Sequence, residues 1–326
     1  MTSAEGNHLH SNGNAGSYTE HQFYIQGWNE VVQFNTIDDY ESGAEGSNFK
    51  GRGFPEILRY NQFGDGAARQ IDMVDNTDAG PYTTFEGYLQ GTPSYHTIYP
   101  ADGYTADLLA AAVEAHHADY VYGNTFDNAT SEYPIHYATD HGSLEDDRVG
   151  TLWFYNNSFY EPACNGCSIW RWYLFDTSGG GGNGFAEIEW PQIQALNNAV
   201  WMDSPTSPYF NWNALTTQFT TFGKNAVNSN WGTGAMAGGD GTGWTTNTSP
   251  YAFQGAANSA DTVGISNLFG VSAEPFDVTT FAPSPVLIDA GANMPSSAPK
   301  LPVRFAYGPA AIQTVRSQPL TVGAME

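Results

Sequence analysis

The chain has 326 residues, of which 34 are acidic and only 10 are lysine or arginine, so its formal net charge is -24 at pH 7. This charge repels phosphate backbones and no dense basic cluster offsets it, which excludes nucleic acid as a partner. Glycine (36 residues) and aromatic residues (14%) are frequent, as is typical of short strands joined by turns. We expect an extracellular all-β protein.

The N-terminal residues 1–16 contain neither a basic stretch nor the apolar stretch of an export signal. No apolar run approaches the roughly 20 residues that cross a bilayer, so no membrane span is expected. The letters TSAEGN at residues 2–7 are typical of the middle of a turn. We therefore expect a secreted protein whose leader and first coils lie before the start of this chain.

One short pattern recurs along the chain: an apolar pair, an asparagine, a small or polar residue, and then Ile, Phe or Val. Its pairs are Asn35 and Ile37, Asn61 and Phe63, Asn124 and Phe126, Asn157 and Phe159, Asn198 and Val200, and Asn225 and Val227. The spacings from one asparagine to the next are unequal, but each exceeds the roughly 20 residues of a solenoid coil. Asparagine accepts left-handed backbone angles, and stacked amides bond to one another. We interpret these residues as the core and corners of a solenoid.

A second series of strands alternates with the asparagine series, and each of its members inserts a polar or ionisable residue among aromatic ones. Its segments are residues 21–25, 48–52, 69–73, 134–140, 170–176 and 209–213. One strand of each series per repeat predicts parallel ladders in a single domain that covers residues 1–326. Residues 270–326 read as an irregular, extended tail.

Residues 77–119 interrupt the repeat and carry the clearest helix pattern in the chain, at about residues 105–117. Thr105 can cap this helix, and an apolar face follows from Leu108, Leu109, Ala112 and Val113. The insertion is either a wall of a groove or an element packed against the side of the solenoid.

The two series resemble the right-handed parallel β-helix of the pectate-lyase-like superfamily. The segment from His21 to Asn76 is similar to bacterial right-handed β-helix repeat proteins, and the letters IDAG (288–291) and VGAME (322–326) resemble the ending of many secreted β-helix proteins. The resemblance implies a secreted right-handed parallel β-helix. This fold hosts lyases, hydrolases, epimerases, esterases and non-catalytic adhesins, so it does not select an activity.

Four of the ten basic residues, Lys50, Arg52, Arg59 and Arg69, fall within residues 46–76. Stacking the second series places polar residues on neighbouring rungs about 4.8 Å apart. Along this stripe we expect His21 and Tyr24, Asn48 and Lys50, Arg69 and Asp72, His136 and Asp140, and Arg171 and Asp176. Successive coils would thus deliver the cations to one exposed groove, which explains why they are gathered.

β-Elimination of a uronate polysaccharide needs a cation at the carboxylate, a base and a proton donor. We assign catalysis to Lys50, Arg69, Asp72 and His136, and substrate binding to His21, Tyr24, Arg52, Asp140 and Arg171. The region resembles the alginate and chondroitin lyase branch of β-helix enzymes. It departs from that branch because Gly51 follows Lys50, and because Met73 occupies the position expected for the arginine, four residues after Arg69. A secreted polysaccharide lyase is the favoured function.

Two other functions stay open. A glycoside hydrolase would use paired carboxylates, either Asp72 with Asp75 or Asp72 with Asp140. A non-catalytic glycan-binding or adhesive solenoid would use aromatic residues as stacking platforms, with no turnover.

Metal sites and the cysteines also stay open. One of His116 and His117, or the group His136, Asp140 and His141, has the ligand chemistry of a zinc, iron or copper site. The acidic residues 144–148 are alternatively a calcium (Ca²⁺) site. Cys164 and Cys167 form either a small disulfide loop or a redox or half-zinc pair.

Overall fold

The computed structural model describes residues 2–26, 28–64, 68–74, 118–127, 134–137, 151–161, 173–176, 192–202, 209–211, 220–222, 225–227, 301, 303–307 and 313–315. Its regular elements in these ranges are 22 strands, numbered β1 to β22 in chain order, and it is all-β there. Over the same ranges no helix has the length and apolar character needed to cross a membrane.

Three parallel sheets contain 20 of these strands. Sheet 1 is β1 (Thr2–Glu5), β4 (Trp28–Gln33), β7 (Phe54–Arg59), β10 (Ala118–Tyr122), β13 (Thr151–Tyr155), β16 (Gln192–Leu196) and β19 (Thr220–Phe222). Sheet 2 is β2 (His8–His10), β5 (Thr36–Asp38), β8 (Gln62–Phe63), β11 (Thr125–Asp127), β14 (Ser158–Glu161), β17 (Ala199–Met202) and β20 (Ala226–Val227). Sheet 3 is β3 (Phe23–Ile25), β6 (Phe49–Gly51), β9 (Ile71–Met73), β12 (Ile135–Tyr137), β15 (Tyr173–Asp176) and β18 (Tyr209–Asn211).

The chain visits the three sheets in turn, and each of the first six repeats adds one strand to each sheet. In the described ranges the last repeat adds β19 to sheet 1 and β20 to sheet 2. This order is that of a parallel solenoid. The asparagine series therefore consists of two strands per repeat rather than one, with the asparagine at the corner between sheets 1 and 2. The predicted interior ladder is confirmed, because Ile37, Phe63, Phe126, Phe159 and Val200 pair in register along sheet 2.

The asparagines form one continuous row of hydrogen bonds. Asn35 donates through its backbone N–H and its Nδ2 to Oδ1 of Asn61, at 3.1 and 3.0 Å. Asn61 makes the same two bonds to Asn124, at 2.9 and 3.0 Å. The pattern continues through Asn157, Asn198 and Asn225. The predicted stacking of amides is thereby confirmed.

The left-handed backbone at each corner lies one residue before the expected position. Gly6, Phe34, Tyr60, Gly123, Asn156 and Asn197 have φ between 53° and 69° and directly precede the stacked asparagines. The asparagine side chain therefore makes the hydrogen bonds at the corner, while the residue before it adopts the left-handed conformation that turns the chain.

The N-terminal residues extend the same repeat, so the reading of residues 2–7 as a turn is wrong. β1 pairs in parallel with β4, and β2 pairs with β5. Asn7 donates to Oδ1 of Asn35 at 2.9 Å. The sequence pattern missed this coil because no apolar pair precedes Asn7. Only the spacing from Asn7 to Leu9 matches the pattern.

Replacing Gly123 with alanine is expected to cost more stability than the same change at Gly6. Both glycines have left-handed φ, +66° and +69°, and alanine pays about 1–2 kcal/mol there. A Cβ at Gly123 would also lie 2.7 Å from two ring carbons of Tyr60, whereas a Cβ at Gly6 would meet nothing within 4 Å. Urea denaturation should show an additional loss of about 1–3 kcal/mol at Gly123 from overpacking. Equal losses at both sites would contradict the ring contact.

One buried apolar cluster receives side chains from all three sheets. Its members include Val32, Leu58, Val121 and Phe154 of sheet 1, Ile37 and Phe126 of sheet 2, and Phe49, Ile71, Ile135 and Phe175 of sheet 3. The shared cluster shows which face of each sheet is internal. Because side chains alternate along a strand, the residues between these lie on the outer faces.

The C-terminal residues that the structure describes pack on the outer face of sheet 1. β21 (Phe305–Tyr307) and β22 (Gln313–Val315) form an antiparallel pair. Leu301, Val303 and Phe305 contact a cluster that contains Tyr60, Tyr122, Tyr155 and Leu196. The predicted helix at 105–117, the cysteine pair and the metal-ligand candidates His116, His117, His141 and 144–148 lie outside the described residues.

Candidate functional site

The outer face of sheet 3 carries a row of polar side chains, one from each of five successive coils. Tyr24 pairs with Lys50, Lys50 with Asp72, Asp72 with His136, and His136 with Asp176. Their neighbours along each strand, such as Phe49, Ile71 and Ile135, belong to the shared core. We call these five residues the outer row.

Asp72 is the centre of the outer row. Lys50 Nζ lies 2.7 Å from Asp72 Oδ2, and His136 Nδ1 lies 2.7 Å from Asp72 Oδ1. Arg69, which precedes β9, places Nη1 3.4 Å from Asp72 Oδ1. The structure thus brings Lys50, Arg69, Asp72 and His136 together, and we call these four residues the Asp72 cluster.

Most of the Asp72 cluster is buried, which corrects the expectation of an exposed groove. The side chains of Lys50, Asp72 and His136 are 6%, 3% and 6% exposed, whereas that of Arg69 is 21% exposed. Tyr24, at the end of the outer row, is 48% exposed. Within the site, Tyr24 and Arg69 are therefore the accessible side chains. Lys50, Asp72 and His136 lie below the surface, and Asp72 contacts Arg69.

Asp72 is held as a carboxylate. Burial by itself raises its pKa, but the hydrogen bond with His136 and the charges of Arg69, His136 and Lys50 outweigh burial and hold the pKa of Asp72 well below its usual range. Asp72 is therefore ionised at neutral pH and binds three donors.

His21 lies near the same charged side chains, but it is held in its neutral form rather than its charged form. The pKa of His21 is lowered from 6.5 to about 4, chiefly by burial and also by the charges of Lys50, Arg52 and Arg69, while the charge of Asp72 opposes this shift. The backbone N–H of Ser47 donates to His21 Nδ1 at 2.9 Å. A neutral ring that accepts at Nδ1 carries its proton at Nε2, so His21 presents an N–H donor at neutral pH. Its ring centre is 5.7 Å from that of Tyr24.

A second carboxylate, Asp176, flanks the cluster; the sequence placed it on the polar stripe but gave it no catalytic or binding role. Asp176 Oδ2 lies 3.7 Å from His136 Nε2, and Asp176 is 3% exposed. His136 thus lies between Asp72 and Asp176. Its position on the stripe is as predicted, because Asp176 pairs in register with His136.

The structure explains why residue 51 is glycine, the position at which the sequence departs from the lyase pattern. A Cβ at this position would collide with the carboxyl group of Glu56. That carboxyl group is fully buried and accepts the backbone N–H of Gly53 at 2.7 Å. The glycine after Lys50 therefore makes room for Glu56 and does not bear on the chemistry of Lys50.

Arg52 also belongs to the surroundings of His21, since its charge lowers the pKa of His21. Arg52 is only 4% exposed. Asp140 and Arg171, the remaining predicted binding residues, lie outside the described residues, as does Asp75. The ranges that the structure describes contain no group of three or more His, Cys, Asp or Glu residues arranged to hold a metal ion.

The chain matches no protein-family model, no curated protein and no solved structure. Whatever this site does must therefore be inferred from its own residues. The arrangement offers a half-exposed phenol, a guanidinium that reaches the surface, and a neutral imidazole N–H. The carboxylate of Asp72, buried among them on the same sheet, pairs with Lys50, Arg69 and His136.

Proposed function

We propose that this protein is a secreted, right-handed parallel β-helix that cleaves uronate-containing polysaccharides by β-elimination at the Asp72 cluster. Three parallel sheets, visited in turn around one core, support the β-helix. The convergence of Lys50, Arg69 and His136 on Asp72 supports the site. That convergence carries the proposal, because it concentrates scarce cations on one face of an acidic protein.

β-Elimination removes the proton at C5 of a uronate, breaks the bond from C4 to the glycosidic oxygen and leaves a C4–C5 double bond. Neutralising the substrate carboxylate makes the C5 proton more acidic. Arg69 is the cation of the cluster with the most exposed side chain, so we assign it this role. Asp72 orients Arg69, and Lys50 and His136 hold Asp72; these three are positioning residues.

Tyr24 is the group proposed to move the proton. Its side chain is exposed and it is paired in register with Lys50. As a phenolate, the Tyr24 oxygen would take the C5 proton, and the phenol so formed would return that proton to the departing glycosidic oxygen. The Nε2–H of His21 beside it is a hydrogen-bond donor for the substrate.

The lowered pKa and the burial of Asp72 together favour elimination over hydrolysis. A glycoside hydrolase needs one protonated carboxyl group as general acid. Asp72 is ionised, because its pKa is well below its usual range, and it is 2% exposed. It is therefore unsuited to protonate a leaving group, and its burial keeps it from reaching a sugar as nucleophile or base. An ionised, buried Asp72 suits the role of holding cations.

Incubation with a panel of uronate-containing and neutral polysaccharides tests the function. We expect uronate polymers to give an unsaturated product, seen by its ultraviolet absorbance. Replacing Arg69 with alanine or Tyr24 with phenylalanine should lower kcat/KM by about 10²- to 10⁴-fold. Tyr24→Phe should change Tm little, whereas Arg69→Ala should also lower Tm, because it removes a cation from Asp72. Tyr18, which is 73% exposed and outside the outer row, provides the control variant Tyr18→Phe, which should keep full activity.

Three results would overturn the proposal. New reducing ends without an unsaturated product would indicate a hydrolase. Binding of polysaccharide with neither signal would indicate an adhesive solenoid. Full activity in both Arg69→Ala and Tyr24→Phe would move the reaction away from the Asp72 cluster.

A further inference from the structure

A cavity of about 360 Å³ lies on the outer face of sheet 1, on a different sheet from the Asp72 cluster. Its walls are formed by Gln33, Phe34, Arg59 and Tyr60 of the coils and by Arg304 and Phe305 of the C-terminal segment. Two hydrogen bonds hold that segment in place: Tyr155 Oη donates to the carbonyl of Leu301 at 2.9 Å, and the backbone N–H of Arg304 donates to Tyr60 Oη at 2.8 Å.

Arg59 is held in the cavity by neutral partners. Its Nε donates to Gln33 Oε1 at 2.7 Å, and its Nη1 donates to Tyr122 Oη at 2.9 Å. Gln33 in turn donates to the exposed carboxylate of Glu5 at 2.5 Å. Within the part of the chain that the structure describes, the ion pairs include none with Arg59. Its position is therefore fixed while its charge stays available, as an anion-binding group requires.

A second guanidinium lines the same cavity. Arg304 is exposed, and among the described contacts it bonds to the coils through its backbone N–H, not through its side chain. Lysine and arginine total 10 against 34 acidic residues. Two arginines lining one cavity without a described carboxylate partner make a local positive field in an otherwise acidic protein.

Aromatic rings form the apolar part of the walls. Phe34 and Tyr60 stack with their ring centres 5.4 Å apart and an interplanar angle of 10°. Phe305 meets both rings edge-on, at 5.8 and 5.4 Å. The Arg59 guanidinium carbon lies 5.9 Å from the centre of the Tyr60 ring. Aromatic rings pack against the C–H faces of sugar rings, and guanidinium groups pair with carboxylates.

We propose that this cavity binds a single acidic sugar residue, with its carboxylate between Arg59 and Arg304 and its ring against the aromatic wall. The site goes beyond the proposed catalytic function, since it lies on another sheet and needs no turnover. It would hold the end of an acidic glycan while the chain is processed elsewhere on the molecule.

Calorimetric titration of the full chain with glucuronic acid, glucose and benzoate tests this site. We expect glucuronic acid to bind and glucose not to bind. Replacing Arg59 with methionine should weaken binding of glucuronic acid by about tenfold or more, as expected for the loss of a charge-assisted hydrogen bond. Arg304→Gln should weaken it as well and should keep the fold, because the bond from Arg304 to the coils uses its backbone N–H. Asp38→Asn, on the exposed face of sheet 2, is the control and should leave binding unchanged.

The outcomes separate this site from the proposed lyase, because a monosaccharide acid reports binding whether or not polymer is cleaved. Absence of binding, equal binding of glucose, or unchanged affinity in both Arg59→Met and Arg304→Gln would overturn the proposal. Binding of benzoate without glucuronic acid would overturn it as a sugar site.

Discussion

Replacing Asn61 with alanine is expected to lower the free energy of unfolding by about 3–5 kcal/mol, because several buried groups lose partners at once. Asn61 is fully buried, and its Oδ1 accepts two bonds from Asn35. Its Nδ2 donates to the carbonyl of Val32 and to Oδ1 of Asn124. Urea denaturation measures the loss. A loss of this size is a large share of the stability of an ordinary domain.

The first residue of the row provides the matched control. Asn7 is exposed, and its side chain donates to Oδ1 of Asn35 and to the carbonyl of Glu5. Water can replace these bonds, so Asn7→Ala should cost about 1 kcal/mol or less. If Asn61→Ala costs no more than Asn7→Ala, the buried row does not stabilise the coils.

Replacing Lys50 with methionine is expected to cost about 3–5 kcal/mol, because it removes a counter-ion from a buried carboxylate. The side chains of Lys50 and Asp72 are only 6% and 3% exposed. The matched control is the pair of His8 and Asp38, which has the same 2.7 Å separation but exposures of 57% and 28%. Asp38→Asn should cost about 1 kcal/mol or less, because water screens an exposed pair.

The pH dependence of stability gives a second measure of the Lys50 variant. The folded pKa of Asp72 is depressed, so its contribution is present above the unfolded pKa of about 3.9 and is lost as the pH falls through the folded value. Removing Lys50 reduces that depression. Acid unfolding of Lys50→Met should therefore begin at a higher pH than that of the unchanged protein.

A double-variant cycle completes this test. Asp72→Asn alone leaves Lys50, His136 and Arg69 together without their carboxylate. Lys50→Met with Asp72→Asn should be less destabilised than the sum of the two single changes, because the buried charges are removed together. Additive losses would show that the two side chains do not interact, despite their 2.7 Å separation.

Much of the solenoid could be predicted from the recurrence of a single residue type. Asparagine at every corner and an apolar residue two positions later indicated an interior ladder, and the pairing of Ile37, Phe63 and Phe126 confirmed it. The corner itself was placed one residue late, because φ depends on the local chain path. Phe34 and Tyr60 adopt left-handed φ although they are large aromatic residues, since the amide row fixes the turn that follows them.

The sequence predicted which residues form the candidate site, but it did not predict that they are buried. Alternation along a strand assigns Lys50, Asp72 and His136 to one face, and parallel register aligns them. Whether the outer face of sheet 3 is buried depends on which other segments pack over it. The alternation of side chains along a strand does not predict such packing. The burial changes the roles of these residues, because a buried Lys50 can hold Asp72 but cannot easily reach a sugar.

By itself, the sequence determined the stacked coils, the asparagine row and the polar row, because each depends on a period that repeats along the chain. The tertiary structure alone decided the ionised state of Asp72, the neutral His21 and the cavity that contains Arg59 and Arg304. These features depend on distances between segments far apart in sequence, such as Tyr60 and Arg304. No local pattern encodes such contacts, because their energy comes from burial and charge in the folded protein.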